Sequence, residues 1–221
     1  MKLKLNKMTT EIELKYLISA NHEDKDLVVD KITAMLNAQN ITFTLDKKQL
    51  INNYYDNEGL ALRKMDVGLR IRGVNQKYEQ TVKTAGKVVG CMHQRPEYNV
   101  DLEDNHLNLS LFPEHIWPEN VDVVALQKSL QVIFNTDFSR QTWLITQENS
   151  VIELALDRGE IFTSPDVETL AINEVEIELV SGDEKALFSL AEQLMTIIKM
   201  EPGELSKAAR GYALYHQRVG S

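Results

Sequence analysis

From Thr10 to Tyr16 the chain alternates charged and apolar residues without a break, with Glu11, Glu13 and Lys15 set against Ile12, Leu14 and Tyr16. Successive side chains of a β-strand point to opposite faces, so this segment reads as a strand with one charged face and one apolar face. The period returns at Gly68 to Arg72, where Arg70 and Arg72 oppose Leu69 and Ile71. It returns again at Tyr78 to Lys83 with Glu79, Thr81 and Lys83 on one face, and at His93 to Tyr98 with Arg95 and Glu97. Asp137 to Arg140 adds Arg140, Ile152 to Asp157 adds Glu153 and Asp157, and Asn173 to Leu179 puts Glu174, Glu176 and Glu178 in one row. Any one such strand is ordinarily wet on one side and dry on the other. Three carboxylates about 7 Å apart along a strand repel one another unless solvent, cations or a metal intervenes. Charged rows on strand after strand predict a closed barrel with a polar lumen and an apolar exterior.

The order of elements supports this reading. A strand at 10–18 is followed by Asn21 as a helix N-cap and a helix to about residue 39, with Leu27, Ile32, Met35 and Leu36 on its apolar side. Strand-like runs follow at 41–55, 67–74, 77–84 and 88–101, separated by Asn57-Glu58-Gly59, by Gly73 to Gln76 and by Gly86. Pro113 and Trp117-Pro118 break the rhythm before a short helix at 121–131. Strands resume at 136–147, 150–158 and 168–180, with turns at Glu148-Asn149-Ser150 and Gly159 and a looser loop around Pro165. A helix at 183–200, a break at Pro202-Gly203 and a helix at 204–217 close the chain. About eight strands with few helices predict an α+β fold, an eight-stranded antiparallel closed β-barrel flanked by helices on the outside. The helices at 22–39, 121–131 and 183–200 are expected to cover that exterior.

Composition narrows the setting. A chain of 221 residues is most simply one domain spanning 1–221, large enough for a full core. Cys91 is the one cysteine, which excludes an intramolecular disulfide and a thiolate zinc site and predicts a reducing, cytoplasmic location. No apolar run approaches the roughly 18 to 20 residues of a membrane-spanning helix, and no secretory leader follows Lys2, Lys4 and Lys7. His22, His93, His106, His115 and His216 show no ligand spacing and are read as structural or surface residues. Net charge is −9, yet Arg63 to Arg95 carries eight cations and two acids, a local +6 in a remainder of −15. That concentration predicts a focused anion site, with neither nucleic acid nor membrane as partner.

Brought together in one lumen, acids from the first and last strands and cations from the middle strands make a two-sided site. Carboxylates hold a divalent cation, and guanidinium and ammonium groups hold phosphate oxygens. Mg²⁺ suits such a site, since it takes one or two carboxylates together with substrate phosphates. Ion-pair rows that serve structure alone are the competing account, at a high desolvation cost.

These residues resemble the CYTH superfamily, the triphosphate tunnel metalloenzymes, and in particular its bacterial inorganic triphosphatase branch. The resemblance is carried by Glu11-x-Glu13-x-Lys15, Asn53-Tyr54-Tyr55-Asp56, Gly68-Leu69-Arg70-Ile71-Arg72-Gly73 and Thr81-Val82-Lys83-Thr84-Ala85-Gly86. It continues through His93 to Asn99, Thr136-Asp137-Phe138, Glu174-x-Glu176-x-Glu178 and Ser206 to Tyr212. It implies metal-dependent hydrolysis of inorganic triphosphate to pyrophosphate and phosphate inside an eight-stranded tunnel. It also implies Mg²⁺ or Mn²⁺ bound by Glu11, Glu13, Glu176 and Glu178. Lys15, Arg70, Arg72, Lys83, Arg95, Arg140 and Lys207 would then bind the phosphates, with Lys15, Glu174 and Asp157 as candidates for the catalytic step. The closest branch often carries a further helical domain, which these 221 residues are expected to lack. Hydrolysis of nucleoside or thiamine triphosphates, an adenylate cyclase and a non-catalytic polyphosphate or nucleotide sensor are the alternatives. An organic triphosphate needs an aromatic mouth, for which Trp117, Trp143 and Tyr54 are the candidates.

Overall fold

A computed structural model describes residues 8–18, 25–164 and 169–219, so Asn21 and Pro165 lie outside the described residues. The strands are β1 (Thr9–Ile18), β2 (Thr42–Asp56), β3 (Gly68–Val74), β4 (Lys77–Lys83), β5 (Lys87–Val89), β6 (Met92–Leu102), β7 (Gln131–Gln147), β8 (Ser150–Phe162), β9 (Leu170–Ser181) and β10 (Met200–Pro202). The helices are α1 (Lys25–Ala38), α2 (Ala61–Lys64), α3 (Val123–Ser129), α4 (Lys185–Met195) and α5 (Lys207–Val219). Hydrogen bonding runs in the order β1-β9-β8-β7-β2-β3-β4-β6, and β6 pairs again with β1 to close an eight-stranded barrel. All these pairings are antiparallel; β5 adds to β6 and β10 to β1 as short flanking strands. Closure removes the unpaired edges that an open sheet of this length would expose.

The outer faces carry the apolar half of each alternation. Leu14, Tyr16 and Ile18 of β1, Trp143 and Ile145 of β7, Leu154 and Leu156 of β8 and Val175 and Ile177 of β9 pack under α1 and α4. The buried stripe of α1 is Val28, Ile32 and Leu36, spaced four residues apart, whereas Leu27 is exposed. A one-residue step turns a side chain through about 100°, which carries Leu27 off the packed face. On the opposite side Leu69, Ile71, Val82, Tyr98 and Val100 pack under α2, α3 and the turns between β6 and α3, with Leu62, Leu109, Phe112, Trp117 and Leu126. The amide of Gln80, also on the outer face, donates to the Asn108 carbonyl (2.7 Å) and accepts from the Asn108 N–H (3.0 Å). This pairing secures the 103–122 segment to the wall.

Helix α5 covers one end of the barrel. Its Tyr212 and Leu214 share a cluster with the inward-facing Tyr54, Phe134, Phe138, Ile161 and Ile172. Asp56 ties that end together: it accepts from the N–H groups of Leu62 and Arg63 (2.9 Å each), which starts α2, and from the Tyr212 hydroxyl (2.9 Å). The contact is close at Gly211, where any Cβ would enter the Phe134 ring.

Three local expectations differ from the structure. The run at 88–101 is two strands, because Gly90 takes φ +59 and turns β5 into β6. Gly159 is no turn. It lies inside β8, where a Cβ would strike the Asp137 carbonyl and Phe138 of β7, so hydrogen at that position is a packing requirement. The helix expected at 183–200 ends at Met195, and Met200 to Pro202 forms β10 instead. No helix among the described residues is long and apolar enough to cross a membrane.

Candidate active site

The lumen holds a cavity of about 200 Å³. Eleven of the thirteen residues singled out from the sequence line it: Glu11, Glu13, Lys15, Arg70, Arg72, Lys83, Arg95, Arg140, Glu176, Glu178 and Lys207. The first ten lie on strands and face inward by the parity of their alternation. Lys207 comes from the first turn of α5 at the covered end. Glu174 and Asp157 share the inward parity but are fully buried beneath the cations at the covered end. Tyr54, Phe138, His93, Glu153 and Glu97 are among the other lining residues.

The charges fall into three groups. At the covered end, Asp157, Glu174 and Glu176 bring one carboxylate oxygen each within 4.8 Å of the others. Four cations neutralise them. Lys207 Nζ lies 2.6 Å from Asp157 and 2.9 Å from Glu176 and also pairs with Glu174. Lys15 Nζ pairs with Glu176 and lies 3.3 Å from Glu174, Arg210 pairs with Glu174, and Arg140 grips Asp157 through two hydrogen bonds of 2.7 and 2.6 Å. Burial pushes Glu176 up, but Lys15, Lys207 and Arg140 outweigh it and hold the carboxyl well below its ordinary range. Burial likewise disfavours charged Lys15, and Glu13, Glu176 and Glu174 together lift it well above the usual lysine range. This trio of acids, compact as it is, has its charge already matched by ammonium and guanidinium groups.

The second group is the arginine wall. Burial, reinforced by the like charges of Arg70 and Arg140, pushes Arg72 down to about 10. Arg72 donates from Nε to Asn52 Oδ1 at 2.9 Å. The Nε of Arg70 is buried with no hydrogen-bond partner among the described residues, a costly state for a donor. Lys83 bridges this wall to the acids, donating to Glu11 Oε1 at 2.7 Å and pairing with Glu97 at 2.8 Å.

The third group is acidic and poorly matched. Strand register sets Glu13 directly opposite Glu178. Burial, with Glu176 next, raises Glu13 to about 7, and burial, with Glu11 next, raises Glu178 to about 8. Glu13 has a partial partner in Lys15 Nζ at 3.6 Å. A carboxylate pair held in such a state is relieved by a cation, and its hard oxygen donors suit a divalent one. Glu13 and Glu178 thus offer donors less committed to cations than the more compact trio at the covered end, whereas Glu11 beside them already pairs with Lys83.

His93 is the lining residue that its type alone did not point to, although it shares the inward parity of Arg95 and Glu97 on β6. Its Nε2 lies 3.0 Å from the Gly203 carbonyl, and burial lowers its pKa. Of the three aromatic candidates for a mouth, the two tryptophans lie outside the cavity and Tyr54 lines it. Trp143 is fully buried on the outer face with Nε1 donating to Thr33 at 3.1 Å, Trp117 of the 103–122 segment packs against the outer wall, and Tyr54 stacks on Phe134 at 4.5 Å.

A closed antiparallel barrel whose lumen opposes an arginine wall to poorly matched carboxylates defines a charged β-tunnel. Residues 9–212 match the CYTH domain model, and the chain belongs to the CYTH domain family. An inorganic triphosphatase of Haemophilus influenzae is 37% identical over 213 residues, which are 95% of this chain and 56% of that protein. The chain therefore spans little more than half the length of that relative. Among solved structures, a Hippeastrum protein described as an adenylyl cyclase with a dominant triphosphatase activity superposes with a TM-score of 0.63 at 19% identity, covering 94% of this chain and 96% of that one. The PH1819 protein of Pyrococcus horikoshii superposes with a TM-score of 0.53 at 15% identity, covering 92% and 98%. These likenesses establish the tunnel fold.

Proposed function

We propose that this tunnel hydrolyses inorganic triphosphate to pyrophosphate and phosphate with the help of Mg²⁺ or Mn²⁺. The observation that carries the reading is the separation of unmatched charge within a cavity of about 200 Å³, with Arg72 pushed down on one wall and Glu13 and Glu178 pushed up on the other. That volume is below the roughly 300 to 1,000 Å³ of sites that enclose drug-sized ligands, and both candidate tryptophans pack outside the cavity, leaving Tyr54 as the one candidate aromatic on its wall. Both facts favour a bare triphosphate over a nucleoside or thiamine triphosphate. The 37% identity to an inorganic triphosphatase points the same way.

In this reading Arg70, Arg72, Lys83, Arg95 and Arg140 grip phosphate oxygens and stabilise charge developing on the leaving pyrophosphate, the main task in phosphoryl transfer. Glu11, Glu13 and Glu178, with Glu176 beside them, would hold the divalent cation, which would supply Lewis-acid charge to the phosphates when bound. Lys15, held protonated by its acidic neighbours, acts as a fixed cation rather than as a base. Glu174 and Asp157, buried at the covered end, orient Lys15, Lys207 and Arg140. Water attacks the terminal phosphorus, the bridging P–O bond breaks with its electron pair passing to the leaving pyrophosphate, and the proton of the attacking water is released to solvent. The chain is read as one cytoplasmic tunnel domain acting on a small molecule.

Phosphate release from inorganic triphosphate, ATP, thiamine triphosphate and pyrophosphate, each with and without Mg²⁺, tests this. Fast metal-dependent release confined to inorganic triphosphate is expected. Equal or faster release from ATP would overturn the substrate assignment, and release without metal would overturn the metal.

The acidic pair also sets a pH dependence. Both folded values lie above the ordinary 4.5, so the folded protein keeps protons that the unfolded chain has already released between about pH 4.5 and pH 8. These two groups therefore cost stability as the pH rises through that window. Mg²⁺ without substrate is expected to raise the Tm more at about pH 9 than at about pH 6, where it must displace their protons. A Tm increment that is the same at both values would count against Glu13 and Glu178 as the metal donors.

A further inference from the structure

His93 stands on the cavity wall yet is only 4% exposed, and the hydrogen bond it makes leads away from the lumen. Its Nε2 lies 3.0 Å from the Gly203 carbonyl oxygen. A carbonyl can only accept, so Nε2 carries the hydrogen and donates it. Gly203 is held from the other side as well: its N–H donates to the Lys15 carbonyl at 2.9 Å, and the Lys15 N–H donates to the Cys91 carbonyl at 2.8 Å. The start of β6, β1 and the segment after β10 are thereby joined in one chain of hydrogen bonds. Contact with Lys15 is tight, since a Cβ at Gly203 would come within 2.9 Å of Lys15 Cγ. Three residues further on, Ser206 Oγ accepts from the Ala209 N–H at 3.1 Å and starts α5, and the next residue is Lys207.

Lys15 and Lys207 meet the same two carboxylates, Glu174 and Glu176, although they enter from different elements. Lys15 is placed by β1, which is locked into the barrel on both sides. Lys207 is placed by a short span that hangs from Gly203. Without a tie at Gly203, that span could shift by an ångström, and so would the ammonium group at its end.

We propose that His93 is a positioning residue: its Nε2–H pins Gly203 against the stem of Lys15 and so sets Lys207 in register with Lys15 at the covered end of the tunnel. The role needs a donor at the Nε2 position and no proton transfer. Its kinetic consequence rests on the triphosphatase reading above, whereas its consequence for anion binding does not.

The test compares His93→Gln, His93→Asn, His93→Ala and Gly203→Ala for kcat, KM, Tm and calorimetric affinity for inorganic triphosphate. Gln can place its amide N–H near the position of Nε2, Asn places its own near Nδ1, and Ala has none. His93→Gln is expected to stay within about threefold of the parent in kcat. His93→Asn and His93→Ala should lose about a hundredfold, the scale of an ångström of misplacement, while remaining folded at the assay temperature. Gly203→Ala, which leaves the imidazole untouched and presses on Lys15, should fall with the second pair. Equal loss in all three His93 variants would overturn the proposal in favour of a need for the imidazole itself, and no loss in any would overturn it outright. Should the parent fail to hydrolyse triphosphate, the reading of function falls by itself. The same order of the variants in triphosphate affinity would then uphold the positioning role, and equal affinities would refute it.

Discussion

Glu13→Gln is expected to lower triphosphate turnover by on the order of a thousandfold while leaving the barrel folded. The substitution keeps the size of the side chain and removes one negative oxygen donor from the pair that faces Glu178. Several kcal/mol of transition-state stabilisation depend on a bound divalent cation, and each ~1.4 kcal/mol is a factor of ten in rate. Stability should move little or rise, because burial and Glu176 already disfavour the ionised carboxylate at this position. Lys15 loses a partner at 3.6 Å but keeps Glu174 and Glu176. Steady-state kinetics with a thermal melt in the absence and presence of Mg²⁺ checks all three points. Lost turnover, a native-like melt and a lost Mg²⁺ increment are expected together; turnover equal to that of the parent would remove Glu13 from the metal site.

Glu174→Ala should act in the opposite sense, chiefly on stability. Glu174 is fully buried and is the shared partner of Lys15, Lys207 and Arg210. Deleting it leaves buried cations without their counter-charge, a change that typically costs about 3 to 5 kcal/mol. In a chain of this length that corresponds to a fall in Tm on the order of 10 °C. Denaturant melts should show a lower midpoint at an unchanged slope. If Glu174 were instead a metal donor, the metal-free protein would melt nearly as before and only the Mg²⁺ increment would vanish. The contrast between the two variants separates carboxylates that hold the wall together from carboxylates left unmatched inside it.

That division was not legible in the sequence. Glu174, Glu176 and Glu178 occupy identical steps of one alternation, and nothing local distinguishes them. The packing does: Glu174 and Glu176 meet Lys15 and Lys207, which arrive from β1 and α5, whereas Glu178 faces Glu13. His93 was obscured for a related reason. Its residue type suggested a surface or structural role, and its partner, the Gly203 carbonyl, is 110 residues away. Its parity on β6 was the available clue. Trp143 shows the reverse case, an aromatic whose chemistry suits a binding mouth but whose odd position on β7 turns it outward onto Thr33 of α1. In α1 itself, a register error of one residue separates the exposed Leu27 from the buried Val28.

What the sequence determined by itself was everything that follows from side-chain direction along a strand. A period of two is a property of each strand alone, so the inward set of acids, arginines and lysines, the apolar exterior and the need for a closed barrel could all be read one segment at a time. The tertiary structure decided what depends on pairs far apart in the chain. It set Glu13 against Glu178, matched the covered-end acids to four cations, brought Gly159 onto Phe138 and placed α5 across one end of the tunnel. The physical reason is that charge compensation and burial are sums over neighbours, and the neighbours of an inward-facing residue come from other strands, in a register that only closure of the barrel fixes.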